Sequence, residues 1–296
     1  MNATLRERLK SFISESGMSQ AKVAVALQYN SGVISGYLNG NYTGNVENVE
    51  KAIKSFLDLQ DEKKRIGEID IPFVQIKNAK MIAGIAKRAQ LDKKLNMVTG
   101  ESGMGKSIGA KEVMRVTRGA IMIEVDITYN TKVLLAMILK ALNLPTHGSK
   151  HSMLTAVVDA LIGSNRLLII DEADLLKTES LEVIRAIHMK ANIGILLIGL
   201  PELAENMRGS RGEFARLFTR IGGHARLGAI SESDAFAIVE SYIPGANGLH
   251  KVFYSLSKKN ARTLYHLIYN AIRVSQENNV DITPDLVEQC QSMIEV

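Results

Sequence analysis

Short apolar runs alternate with helical patterns through the middle of the chain. Four runs are rich in Leu, Ile, Val and Met: 95–99, 120–127, 167–170 and 193–198. Four stretches between them repeat apolar residues at the spacing of one helix face: 107–116, 132–142, 151–161 and 179–189. Wholly apolar strands that alternate with helices are typical of a parallel sheet covered on both faces. We therefore predict an α/β core over residues 75–227, opened by a helix at 75–91.

The pattern is entirely helical on both sides of this core. Residues 1–60 predict a small all-α domain, in which Ser19 caps a helix through residue 27 and a second helix covers 31–38. Residues 61–74 carry a cluster of charges and Pro72, which favours a linker. Residues 228–296 predict a C-terminal helical lid with helices at 231–242, 249–257, 261–276 and 284–293.

A glycine-rich loop joins the first apolar run to the helix that follows it. It matches the phosphate-binding pattern G-x-x-x-x-G-K-[ST], and we expect all eight of its residues to bind a nucleotide: Gly100, Glu101, Ser102, Gly103, Met104, Gly105, Lys106 and Ser107. Glycine lets the backbone N–H groups close around phosphate, and the helix N-terminus favours an anion. Lys106 can reach the outer phosphates of ATP, and the Ser107 hydroxyl can ligate Mg²⁺. The alternative is a glycine-rich turn in another α/β protein.

Two carboxylates end the third apolar run. A buried parallel strand over residues 167–170 would present Asp171 and Glu172 at its carboxyl end, where ligands bind in such sheets. Asp171 is then placed to hold Mg²⁺, and Glu172 is placed to polarise the water that attacks the γ-phosphate. In the competing interpretation, Asp171 or Asp174 only caps a helix.

Composition limits the class of protein. The chain has 296 residues, a net charge of +5 and one cysteine, which excludes a disulfide framework or a cysteine-rich metal site. The basic excess lies in residues 61–223, which carry 24 Lys and Arg against 18 Asp and Glu. This excess favours a polyanionic partner. With no membrane-spanning run and no signal-peptide pattern, we expect a cytoplasmic protein without membrane contact.

The stretch over residues 19–40 resembles the helix-turn-helix of the phage-repressor type. In that family the second helix enters the major groove of DNA, and here its early residues are Asn30, Ser31 and Ser35. These residues are small and lack the Arg or Gln that makes bidentate base contacts. The turn glycine that is common in the family is Gln28 here. DNA contact and protein contact therefore both stay open for this domain.

The phosphate loop, the acidic strand end and the helical C-terminal region together resemble the AAA+ ATPases. The resemblance implies an arginine finger offered to the neighbouring subunit, with Arg216 and Arg220 as candidates in the stretch 213–221. It implies a sensor arginine on the lid at Arg262, which opens a helix in Asn-Ala-Arg-Thr-Leu. The alternative for each arginine is a surface salt bridge. Leu200 stands where the family usually has a polar residue that positions the attacking water. Hydrolysis is therefore expected to be slow, or the water is placed by Glu172 or another group.

The order of domains narrows the resemblance to the phage Mu transposition protein B family, over nearly the whole chain. The stretches 167–174 and 213–221 carry it most closely. It implies an ATPase of a bacterial host cytoplasm that binds double-stranded DNA without sequence preference, assembles into homo-oligomeric helical filaments on target DNA, and delivers that DNA to a transposase and activates it.

Residues at the end of the second apolar run and before a later helix are the candidate DNA contacts within the core. They are Thr128, Tyr129, Asn130, Lys132, Lys150 and His151. The alternative for each is an ordinary polar surface role. Two other functions also fit the pattern, namely a helicase-loader type of AAA+ ATPase and an ATP-switched helix-turn-helix transcriptional regulator.

Overall fold

The computed structural model describes residues 2–66, 69, 72–208, 221–246 and 248–294. The chain divides into two compact units. The first contains the N-terminal helices, and the second contains the sheet, the helices that cover it and the C-terminal helices.

Four helices build the first unit: α1 (Ala3–Ser16), α2 (Gln20–Ala26), α3 (Ser31–Asn39) and α4 (Val46–Ile66). The hydroxyl of Ser19 accepts a hydrogen bond from the Lys22 N–H and so caps α2, as predicted. The turn between α2 and α3 holds Gln28 at φ 60°, a left-handed conformation that glycine adopts at lower cost. Leu9, Ile34 and Ile53 are fully buried in the core of this unit.

The expected linker over residues 61–74 is only partly a linker. Helix α4 is amphipathic and continues to Ile66, with Asp61, Glu62 and Lys64 exposed to solvent. At the other end, Val74 packs against the hydrophobic core of the C-terminal helices. Both ends of the predicted linker therefore belong to folded units.

The second unit is built on five parallel strands in the described residues: β1 (Leu95–Thr99), β2 (Ala120–Glu124), β3 (Leu167–Asp171), β4 (Gly194–Gly199) and β5 (Ile221–Arg226). Their order in the sheet is β2-β3-β4-β1-β5. The core helices are α5 (Lys77–Leu91), α6 (Lys106–Val116), α7 (Thr131–Ala141), α8 (Lys150–Leu161), α9 (Thr178–Ala191) and α10 (Pro201–Arg208). The predicted second strand was too long, because Ile127 is 86% exposed beyond its end.

Successive residues of the central strands pack against opposite layers of helices. Leu168 and Ile170 join the cluster that contains residues of α7, α8 and α9. Leu167 and Ile169 join the cluster that contains residues of α5 and α6. Every position of β1, β3 and β4 is buried, which explains why these strands read as continuous apolar runs. The predicted parallel sheet with helices on both faces is confirmed.

The C-terminal helices are α11 (Glu232–Tyr242), α12 (Leu249–Leu256), α13 (Ala261–Asn278) and α14 (Pro284–Ser292). They share a core in which Phe253, Leu264 and Leu267 are fully buried. We refer to α11–α14 as the lid. Among the helices of the described residues, none has the length and apolarity needed to cross a membrane.

Candidate nucleotide-binding site

The phosphate-binding pattern forms the turn between the central strand β1 and helix α6. Gly103 and Gly105 have φ values of 81° and 83°. This left-handed backbone disfavours residues with a Cβ, so glycine is required by the path of the loop. Helix α6 begins at Lys106, directly after Gly105, and its N-terminus therefore points its free N–H groups towards the loop.

Lys106 is a buried cation at the centre of the loop. The residue is only 7% exposed. Its Nζ atom donates hydrogen bonds to the carbonyls of Gly100 (2.6 Å) and Glu101 (3.0 Å). Burial lowers the pKa of Lys106, and the charges of Glu172 and Asp171 oppose that shift. Because the described residues give this ammonium no direct ion pair, an anion beside it would gain a strong, little-screened interaction.

Asp171 ends β3 in a fully buried position. Its Oδ1 accepts the Glu172 N–H at 3.1 Å, whereas Oδ2 has no hydrogen-bond partner among the described residues. Burial raises the pKa of Asp171, and the Ser107 side chain partly offsets the shift. A buried carboxylate oxygen without a partner is costly unless it serves a ligand.

Glu172 follows in a left-handed conformation, with φ 55° and ψ 37°. Such a backbone is uncommon for a residue with a long side chain, and strained residues of this kind cluster at functional sites. Burial raises the pKa of Glu172, and the neighbouring charges of Asp171 and Asp174 raise it further. The carboxyl is therefore better suited to accept a proton near neutral pH than an exposed glutamate is.

Asp174 has a structural role beside these two carboxylates. Its Oδ1 accepts the Leu200 N–H at 2.9 Å, and a Cβ on Gly199 would lie 2.4 Å from the same oxygen. Asp174 therefore fixes the end of β4 and the start of the turn at Leu200. The short 3₁₀ turn Ala173–Leu175 receives no side-chain cap, which argues against the interpretation of these carboxylates as helix caps.

The lid contacts the phosphate loop through the start of α13. The side-chain amide of Asn260 donates to the Ser102 carbonyl at 2.8 Å, and the Arg262 N–H donates to the Gly103 carbonyl at 3.2 Å. The Arg262 guanidinium donates to the Ser102 hydroxyl at 3.1 Å. The resemblance to AAA+ ATPases predicts that Arg262 is a sensor arginine. In the structure, its guanidinium lies against the loop that would hold the phosphates.

An apolar cavity of about 360 Å³ lies between the loop, the N-terminal end of α5 and the lid. Its lining includes Phe73, Val74, Met104, Ile108, Tyr242 and Tyr265. A concave site of this size with aromatic walls suits a planar organic ring. Sequence patterns missed it because its walls come from three separate parts of the chain, including the segment assigned to a linker.

Two polar contacts fix the lid and the phosphate loop to α5. Asp234 of α11 accepts the Lys77 N–H at 2.9 Å. Although burial alone would raise it, the pKa of Asp234 is held below its ordinary value by hydrogen bonds from the backbone of Lys77 and Ser231. Asn78 is buried and donates to the carbonyls of Met104 (3.2 Å) and Gly228 (2.8 Å).

The candidate DNA contacts in the core differ in burial and in the contacts that their side chains make. Tyr129 is buried in the hydrophobic cluster, so the expectation that it faces DNA is wrong. Asn130 caps α7 through its side-chain oxygen, and the Thr128 hydroxyl donates to Asp126. Lys132 is exposed and makes no ion pair within the described part of the chain.

The second set lies at the start of α8, where His151 is exposed. There the Lys150 ammonium pairs with Glu179 at 2.7 Å. Of the candidates in the core, Lys132 and His151 therefore combine exposure with a side chain that makes no hydrogen bond or ion pair among the described residues.

The remaining predicted residues lie elsewhere. Asn30 caps α3 by accepting the Val33 N–H, whereas Ser31 is exposed and Ser35 accepts a hydrogen bond from Asn39. Arg216 and Arg220 fall outside the described residues.

Comparisons with known proteins agree with this architecture. A family model described as an AAA domain matches residues 89–207. The ATP-dependent target DNA activator B of Escherichia phage Mu is 27% identical over 294 residues, covering 96% of this chain and 93% of that protein. The Mu-like prophage FluMu DNA transposition protein B of Haemophilus influenzae is 27% identical over 244 residues, covering 81% of this chain and 85% of that protein.

Solved structures with the same fold include an ORC2 protein of Aeropyrum pernix in complexes with ADPNP and ADP. It has a TM-score of 0.62 and 20% identity, and the match covers 79% of this chain and 72% of that one. A RuvB mutant from Thermotoga maritima has a TM-score of 0.50 and 15% identity, with 76% of this chain and 71% of that chain covered. The chain therefore contains an AAA domain over residues 89–207 and is similar over nearly its whole length to the transposition B proteins of Mu-like phages.

Proposed function

We propose that this protein is an ATPase that binds double-stranded DNA in an ATP-dependent manner and takes part in DNA transposition. The observation that best supports ATP binding is the buried Lys106 ammonium at the N-terminus of α6, beside an apolar cavity. Phosphates beside Lys106 and an adenine ring in the apolar cavity, against the wall that contains Tyr242 and Tyr265, would satisfy both features with one molecule of ATP.

The acidic end of β3 fits a magnesium ion shared with that nucleotide. Asp171 offers a buried oxygen that has no hydrogen-bond partner among the described residues, and the Ser107 side chain lies close enough to lower the pKa of the same carboxyl. No group of three or more His, Cys, Asp or Glu side chains in the described residues is arranged to hold a metal by itself, which agrees with a site completed by phosphate oxygens. Bound Mg²⁺ would neutralise charge that develops on the transferred phosphoryl group.

Hydrolysis would use Glu172 as the group that orients water and accepts its proton. Its raised pKa and its position beside Asp171 support this role. Leu200 offers no side-chain hydrogen bond at the end of β4, so the water would be held from one side only, and slow turnover follows. Arg262, already bonded to Ser102, is the candidate for sensing the outer phosphate.

Assembly of several subunits would make DNA binding depend on the nucleotide-binding site. The relatives are named ATP-dependent target DNA activator B and DNA transposition protein B, which supports a role in presenting target DNA to a transposase. An arginine finger from Arg216 or Arg220 of a neighbouring subunit would make assembly depend on ATP, and a repeated head-to-tail contact would give a helical filament. Binding through phosphates would be salt-sensitive and largely independent of sequence.

The test is the substitution Lys106→Ala, measured by fluorescence anisotropy on duplex DNA of random sequence with and without Mg²⁺ and ATP. We expect the unchanged protein to bind DNA much more tightly with ATP, and the variant to lose that ATP-dependent gain. A conservative control is Lys111→Ala in the same helix, whose side chain is exposed and paired with Glu124. ATP-stimulated DNA binding that survives Lys106→Ala intact would refute the coupling.

A further inference from the structure

The nucleotide cavity is bordered by the lid on two sides that differ in their contacts with the rest of the unit. On one side, Asp234 accepts the Lys77 N–H and both residues form the junction between α11 and α5. On the other side, the start of α13 reaches the phosphate loop, and residues adjoining that contact, Met104 and Ala261, line the cavity. Breaking the second contact would widen the cavity between the phosphate loop and α13.

Asn260 makes this second contact with both ends of its side chain. The Oδ1 atom accepts the N–H groups of Arg262 (2.9 Å) and Thr263 (3.2 Å) and so caps α13. The Nδ2 atom donates to the Ser102 carbonyl at 2.8 Å. One amide therefore fixes the start of a lid helix and ties it to the phosphate loop.

The loop is shaped to admit this amide. A Cβ on Gly103 would lie 2.2 Å from Asn260 Oδ1, which is closer than nonbonded atoms approach, so only glycine leaves the room. The N–H of Arg262 adds a backbone bond to the Gly103 carbonyl. The fit between Asn260 and Gly103 is thus steric as well as polar.

We propose that Asn260 is a positioning residue that latches the lid onto the phosphate loop and thereby sets how long a nucleotide stays in the cavity. This inference rests on the proposed binding of ATP. Separation of α13 from the loop would widen the exit from the cavity, and this separation breaks the Nδ2 bond to Ser102. Removing that donor, while keeping the helix cap, should speed release without displacing any group that touches phosphate.

The substitution Asn260→Ser separates the helix cap from the bond to Ser102. A serine hydroxyl still caps a helix but is too short to reach Ser102. Asn260→Asp keeps the cap and sets a carboxylate oxygen against the Ser102 carbonyl. The matched control is Asn270→Ser, the same change farther along α13 and away from the loop.

The measurement is stopped-flow release of N-methylanthraniloyl-ADP with Mg²⁺ from the full chain, chased with excess unlabelled ATP. We expect release to accelerate roughly two- to tenfold in Asn260→Ser, as the loss of one hydrogen bond predicts. It should accelerate further in Asn260→Asp and stay unchanged in Asn270→Ser. Circular dichroism would show helix content retained in all three variants.

Equal release rates in the unchanged protein and Asn260→Ser would overturn the latch. Acceleration of the same size in Asn270→Ser would overturn it as well, because the effect would then belong to α13 as a whole. If the unchanged protein bound no labelled ADP, the proposed function would fail first and the latch with it.

Discussion

Replacing Asp171 by Asn should make the nucleotide-free protein more stable and the nucleotide-bound protein less so. Asp171 is fully buried, and one of its oxygens has no hydrogen-bond partner among the described residues. An unsatisfied buried polar group costs about 1–3 kcal/mol, and a charged one costs more. Asparagine leaves its amide in the same unpartnered place but removes the charge, so the excess cost of the charge is recovered. We therefore expect Asp171→Asn to raise the free energy of unfolding by about 1–2 kcal/mol at pH 8, or roughly 2–6 °C in Tm.

The direction of the pKa shift of Asp171 determines how the stability difference between the two proteins changes with pH. Burial raises the folded-state pKa of Asp171 above its ordinary value, so the folded protein keeps a proton that the unfolded chain has already released. The stability that the neutral carboxyl contributes is fully present below the ordinary aspartate pKa and is lost as pH rises through the raised pKa. The advantage of the asparagine variant should therefore be small near pH 4 and grow towards pH 8.

Differential scanning fluorimetry with and without Mg²⁺ and ATP would measure both effects. Nucleotide and Mg²⁺ should stabilise the unchanged protein, since a ligand that binds the folded state raises Tm. The variant should gain much less. Asp159→Asn, an exposed site on α8, serves as the control and should leave both values unchanged. A variant that is less stable than the unchanged protein at pH 8 without ligand, or that gains equally from Mg²⁺ and ATP, would refute the reasoning.

Two further predictions concern turnover and DNA. Leu200→Asn should raise the ATP hydrolysis rate about tenfold in a phosphate-release assay, because an amide there could orient the attacking water; an unchanged rate would show that water is positioned elsewhere. Lys132→Ala should lower the slope of log affinity for DNA against log salt by about one, and Lys150→Ala should change it less because Glu179 already pairs with that ammonium. Identical slopes for Lys132→Ala and the unchanged protein would remove Lys132 from the DNA surface.

The sequence was sufficient for the sheet and the phosphate loop because their signals are local. A buried parallel strand is apolar at each position, as in Leu167–Ile170, and this pattern needs no knowledge of its neighbours. The turn through Gly103 and Gly105 likewise follows from backbone conformation within a few residues. The capping role of Ser19 was predictable for the same reason.

The cavity and the contact between the lid and the phosphate loop could not be predicted from local sequence patterns. Asn260 and Ser102 are 158 residues apart, and neither has a neighbour in sequence that signals the other. Phe73 and Tyr265 line one cavity although they lie in distant parts of the sequence. The burial of Tyr129 was also missed, since a polar sequence context after β2 resembles a surface loop until the packing of α7 is known.

The strand order has a consequence for the growing chain on the ribosome. Strand β1, which carries the phosphate loop, pairs with β4 and β5 and not with β2 or β3, which follow it first in the chain, and Leu95 is in register with Ile195. At about 5–20 residues per second, roughly 5–20 s pass between the synthesis of β1 and that of its first partner. During this interval an apolar strand waits unpaired, and ATP cannot be bound. The protein can therefore become responsive to ATP only when about two thirds of it has been made, so incomplete chains would be excluded from any ATP-dependent assembly.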